Sequence, residues 1–390
     1  MLRKYLTLFF LLICFAVSGQ DKALTPYINF LEKQKTNPVD YVFELFKKYD
    51  IVILGERDHR DTTQYILIKK IMSDPRFIQN VGHVFTEVGT NNQADNANNV
   101  LKGNYASDED FTEALRNLYR NFDWNIIWEK YSYWYFLNSI YQINKNIPQN
   151  EKITLYPLDV SYDWNECQDT VARNNFYKKL ENRDYRDTYM GYNIIRRFNQ
   201  ILQDSSEHRK KALVILNSRH SYHNYICVNK KGESYHLKSA ADFVFDYYPD
   251  QVANVLINWY AMNDSLIADG KWDATFHFLK NPSLGFNMEG SPFGNDFFDD
   301  YYIKPANDTR YKDIYTGFIF YLPLEDLAPT VGIPDIVTED FYGELMRRKS
   351  LTKDMHDWSL GNLLFYFNKK RAAHIKTEEL TLNLKKWKVE

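Results

Sequence analysis

Short apolar runs rich in Val, Ile, Leu and Phe punctuate this chain at residues 51–55, 84–88, 153–158, 212–216, 252–257 and 318–322. Uninterrupted runs of that length mark strands buried on both faces. Stretches of helical periodicity lie between them, so strand and helix alternate along the chain. The pattern predicts an α/β fold with a central, mostly parallel sheet flanked by helices. Residues 108–147 break the rhythm: they carry no strand signal but a dense aromatic series, including Phe122, Trp124, Trp128, Tyr131, Tyr133, Trp134, Tyr135 and Phe136. They read as a helical insertion spanning about 103–150. Such a stripe is either core or a wall on which a ligand stacks. Residues 272–302, with Asn281-Pro282-Ser283 and Gly290-Ser291-Pro292, read as loop.

The start of the chain has a different character. Arg3 and Lys4 precede an apolar run over residues 5–17, and the small residues Ser18 and Gly19 follow. That order is the signature of a secretory signal peptide over residues 1–19, and the run is short for a membrane span. Cys14 follows Ile13 rather than a small residue, so no lipobox is present. The expectation is a secreted or periplasmic protein whose residues 20–390 form one domain, with no stable membrane span. Cys167 and Cys227 are then the remaining cysteines. An oxidising compartment permits a bridge between them, and two buried free thiols are equally ordinary.

Composition narrows the partners. With 48 Lys and Arg against 51 Asp and Glu over 390 residues, the chain has no basic field to hold a nucleic-acid backbone. A small-molecule substrate or ligand is the expectation instead, and 30 Tyr, 26 Phe and 8 Trp supply amphipathic surface to line a cleft for it.

Four of the apolar runs empty into residues able to do chemistry. The first ends in Gly55-Glu56-Arg57-Asp58-His59, the second in Glu87, the third in Asp159, and the fourth continues through Asn217-Ser218-Arg219 to His220. Parallel strands would bring all four ends to one sheet edge, where open α/β folds bind ligands. Each residue also has a plainer role available, such as a helix N-cap for Asp159. The chain lacks a Gly-x-Ser-x-Gly nucleophile elbow, a phosphate-cradling Gly-rich loop, a dinucleotide fingerprint and a His-Glu-x-x-His helix. A cluster of His and carboxylate remains, which activates water directly or through a divalent metal.

The Gly55-Glu56-x-x-His59 turn, Glu87, Asp159 and the strand ending near His220 resemble the erythromycin esterase-like family, which shares a superfamily with ChaN-type haem-binding lipoproteins and the Tiki/TraB-type proteins. Arg186-Asp187-Thr188-Tyr189-Met190-Gly191-Tyr192-Asn193 is similar to a helix of the esterases, and Arg186, Met190 and Asn193 fall on one helical stripe. Two departures stand out: Arg60 takes the place of a Gly after the first histidine, and Asn217 stands three residues before His220 where the esterases have another histidine. The resemblance implies a secreted hydrolase with His59 as general base and Glu56 and Glu87 orienting or charging it. It implies that His220 polarises a carbonyl or completes a metal site and that Arg186 stabilises an oxyanion. Asp159, Asn193 and Asn217 would contact substrate. An esterase of this kind requires no cofactor. The alternatives are a ChaN-type protein binding haem or metal, with a tyrosine of residues 131–135 as axial ligand, or a metal-dependent hydrolase of the Tiki type.

Overall fold

The computed structural model describes residues 22–261, 265–301, 303–306, 308–352, 355, 357–374 and 383–387. The proposed signal peptide lies outside them. All six apolar runs are strands, and the sheet is α/β as the pattern predicts. In chain order the strands of the main sheet and of one short hairpin are β1 (Ile51–Glu56), β2 (His83–Thr90), β3 (Thr154–Asp159), β4 (Ala212–Asn217), the hairpin of β5 (Ile226–Val228) and β6 (Ser234–His236), β7 (Val252–Ile257), β8 (Leu284–Asn287) and β9 (Gly317–Phe320). Seven of them form one sheet in the order β3-β2-β4-β1-β7-β9-β8, with every pairing parallel except β8 against β9.

Alternation explains why the central strands are apolar throughout. Val52 and Leu54 of β1, with Leu213 and Ile215 of β4, enter one core with the helices Thr62–Ser73 and Tyr131–Asn144. Ile51, Ile53, Val214 and Leu216 enter another, on the opposite face, with the helix Arg183–Gln203. Each such side chain is worth about 1.5–3 kcal/mol on burial, and a polar residue on either face forfeits it. The sheet is therefore covered on both sides, and its carboxyl edge is left for chemistry.

Register sets that edge. Glu56 is the partner of Asn217 across β1 and β4. β2 pairs with β4 only as far as Thr86, and its register with β3 slips between Thr86 and Thr90. Gly89 permits the irregularity: its φ is +102°, and the Phe122 ring fills the space a Cβ would need.

The helices Asp108–Asn121 and Tyr131–Asn144 occupy the aromatic stretch. Its stripe is core: Tyr133 and Phe136 are buried, and the Tyr133 hydroxyl bonds Thr86 Oγ1 at 2.7 Å. The loop expected at 272–302 is only partly loop. Trp272 and Phe276 lie on the helix Lys271–Phe278, and β8 follows as an antiparallel edge strand. Phe276 stacks on Phe320 of β9 at 3.8 Å, and Trp272 meets Phe293 at 5.3 Å. Aromatic packing orders a segment whose Gly, Pro and Asn content signals turns. Among the described residues no helix is long and apolar enough to cross a membrane.

Candidate active site

The turn after β1 is built by one glutamine. Asp61 caps the helix Thr62–Ser73, accepting from the backbone of Thr63 and Gln64. Gln64 then folds back, accepting from Arg57 N at 3.0 Å and donating to the Asp58 carbonyl at 2.6 Å. The turn so clamped sets His59 Nδ1 2.8 Å from Glu56 Oε2. Ser132 Oγ donates to the His59 carbonyl, and the Trp128 ring meets the imidazole at 5.3 Å. Burial raises the Glu56 pKa, with His59 opposing. For His59, burial favours the neutral ring, but the Glu56 carboxylate outweighs it and the pKa is raised.

Glu87 stands where the β2–β4 ladder ends. Its Oε2 accepts the Asn217 N–H at 2.7 Å, and its Oε1 accepts from Arg186 Nη2 at 3.0 Å. Burial alone would raise its pKa; the His220 imidazole, the Arg186 guanidinium and His59 around it hold the carboxyl far below the usual range. Arg186 also donates from Nε and Nη2 to the two oxygens of Asp159, at 3.0 and 2.8 Å. Trp124 Nε1 and Val160 N–H complete the shell of Asp159. A carboxylate has about four lone-pair sites, and these four donors fill them. Asp159 is neither a helix cap nor open to a substrate; it positions Arg186.

His220 is held from both sides. Its Nδ1 lies 2.6 Å from Asp187 Oδ1, and Arg219 Nε donates to its Nε2 at 3.2 Å. With both nitrogens engaged and the residue 2% exposed, His220 is placed as a support. Asp187 is itself secured by Ala240 N–H and Arg183. Adjacent helical residues diverge by about 100°, so Arg186 reaches Glu87 while Asp187 reaches His220. Asp187 lay in the same sequence block as Arg186 without a role. Gln64, Trp124 and Arg219 belong to no motif: Gln64 folds back on Asp58, Arg219 turns to its neighbour His220, and Trp124 reaches Asp159 across 35 residues.

A cleft of about 430 Å³ opens over the ends of β4, β1 and β7. His59 and Asn217 line it, together with Arg219 after β4, Trp259 after β7, and Lys130. Glu56, Glu87, Asp159, Arg186 and His220 are gathered as the sequence predicts but do not line it. Asn193 is elsewhere: its amide donates to the Leu158 carbonyl at 3.2 Å and ties its helix to β3. Arg60 reaches the cleft wall, where it clamps Asp58. Two larger hollows, about 810 and 630 Å³, contain no residue of this network.

The donor set does not fit a metal between His59, Glu87 and His220. The Arg186 guanidinium already lies there, 3.0 Å from Glu87 Oε1 and 3.4 Å from His220 Nε2, and would repel a second cation. Nor do the tyrosines of residues 131–135 suit haem. Tyr133 is buried and bonded to Thr86 and the Val88 carbonyl, and Lys370 and Lys69 lie over the rings of Tyr131 and Tyr135.

No family model matches the chain, and no curated protein matches it. Among solved structures, ChaN of Campylobacter jejuni, described with cofacial haem binding, is 14% identical over 56% of this chain and 86% of its own, with a TM-score of 0.34. A Bacillus cereus protein is 12% identical over 76% of this chain and 96% of its own, at 0.41. A succinoglycan biosynthesis protein is 10% identical over 72% and 90%, at 0.40. These are distant similarities of structure, and what the cleft does is decided by this chain's own residues.

Proposed function

We propose that this protein is a hydrolase in which His59 activates water for attack on an ester carbonyl. One observation carries the reading: Glu56 Oε2 holds His59 Nδ1 at 2.8 Å, while the ring lines the cleft with Nε2 beyond hydrogen-bonding distance of Glu87, at 3.8 Å. A carboxylate on Nδ1 fixes the tautomer with its lone pair on Nε2 and stabilises the imidazolium formed as water gives up its proton. Glu87 adds negative charge on the same side. Arg186 is spent on Glu87 and Asp159 behind the cleft, so its work is to hold that carboxylate in place. The resemblance of the Glu56–His59 turn to the erythromycin esterase-like family supports the same reaction class, and the leader-like residues 1–19 support export.

The test is turnover of a panel of 4-nitrophenyl esters by the full chain and by His59→Ala. Loss of the base is expected to lower kcat roughly a hundredfold or more with an unchanged melting curve. A folded His59→Ala protein with full turnover would overturn the assignment.

A further inference from the structure

The charges around the cleft are not all answered. Arg57 donates to Asp300 at 2.5 Å, Arg60 embraces Asp58, and Lys130 pairs with Glu129. Arg219 differs. It lines the same cleft, its Nε is given to His220, and no carboxylate among the described residues forms an ion pair with it. Its charge is felt by Glu87, but Glu87 is already engaged by Arg186 and the Asn217 N–H. Beside it stands a second unmet group: Ser218 also lines the cleft, and its buried hydroxyl has no hydrogen-bond partner. A half-buried guanidinium without a counter-ion and an unpartnered hydroxyl next to it are costly unless something binds there. The pair offers what an oxyanion needs, namely the Nη donors of a guanidinium and one further O–H.

We propose that the cleft selects esters carrying a second, anionic group, a carboxylate or phosphate, which Arg219 and Ser218 seat while His59 delivers water to the ester carbonyl. The inference rests on the hydrolase reading of the same cleft. The reaction balances without a co-reactant: water's oxygen bonds to the acyl carbon, the ester C–O bond breaks, and the proton taken by His59 goes to the leaving oxygen.

The experiment compares 4-nitrophenyl acetate with 4-nitrophenyl hemisuccinate as substrates of the full chain, its Arg219→Gln variant and its Arg219→Lys variant, with melting curves for each. A parallel arm measures stabilisation by inorganic phosphate at low salt. The hemisuccinate is expected to have the lower KM, and Arg219→Gln to raise that KM about tenfold, the loss of one charge-assisted contact, while moving the acetate KM far less. Arg219→Lys should recover part of the difference because it keeps the charge. An equal fall in kcat on both esters would assign Arg219 to the reacting oxyanion and overturn the seat. Equal defects in the Gln and Lys variants would assign it to the tether on His220, with the same consequence. Should the wild type turn over neither ester, the hydrolase reading fails on its own and phosphate decides the seat: stabilisation lost in Arg219→Gln upholds it, and no stabilisation of the wild type refutes it.

Discussion

Arg186 grips Asp159 through two parallel hydrogen bonds, at 3.0 and 2.8 Å, with Asp159 buried and the Arg186 side chain 13% exposed. The pair joins the helix Arg183–Gln203 to the end of β3 and leaves Arg186 Nη2 on Glu87. A cation so placed is supported by two carboxylates, and removing either strands charge in the interior.

Asp159→Ala should therefore cost far more than the roughly 1 kcal/mol of a lost helix cap. About 3 kcal/mol is expected, the low end for breaking a buried pair, because Glu87 still answers Arg186. Urea unfolding of the variant beside the wild type measures it; a midpoint shift equivalent to a cap alone would contradict the geometry.

In the proposed hydrolase the Glu56–His59 pair sets the pH dependence of turnover. A base works unprotonated, so the rate should climb with pH through the His59 pKa, which the pair holds above the ordinary value of about 6.5. Glu56→Gln removes the carboxylate that raises it and leaves the burial that lowers it. The inflection of the kcat/KM profile should move to lower pH, and kcat should fall roughly a hundredfold as the tautomer is freed. An inflection that stays in place would detach Glu56 from His59.

Cys167 and Cys227 are both buried free thiols belonging to separate hydrophobic cores. Burial pushes the Cys227 thiol up to about 11, which keeps it a poor nucleophile at neutral pH. Native protein should resist a thiol reagent, and unfolded protein should release two thiols, or three if Cys14 is retained. A bridged pair would yield neither.

The export proposed from the order of residues 1–19 makes a prediction about the N-terminus. Mass spectrometry of protein from the medium or periplasm should find a chain beginning near residues 19–21, where small residues follow the apolar run. A species that keeps Phe9 to Cys14 would mean that the leader is not removed.

The strands were legible from the sequence because a sheet covered on both faces admits little but Val, Ile and Leu, and the ends of β1, β2, β3 and β4 were legible as a chemical edge because charge follows each run directly. Residues 272–302 were not legible, since Phe276 and β8 are ordered by aromatic partners distant in sequence. The site divided in the same way. Local order placed Glu56, His59, Glu87, Asp159 and His220 at strand ends, and the parallel pairing of β1 to β4 gathered them. Which of them meets the cleft was decided by packing across the sheet: Asp187 and Arg219 take both nitrogens of His220, Asp159 takes Arg186, and His59 lines the cleft with Nε2 3.8 Å from Glu87 Oε1. Hydrogen-bond capacity is finite, and only the tertiary structure shows where each donor and acceptor is spent.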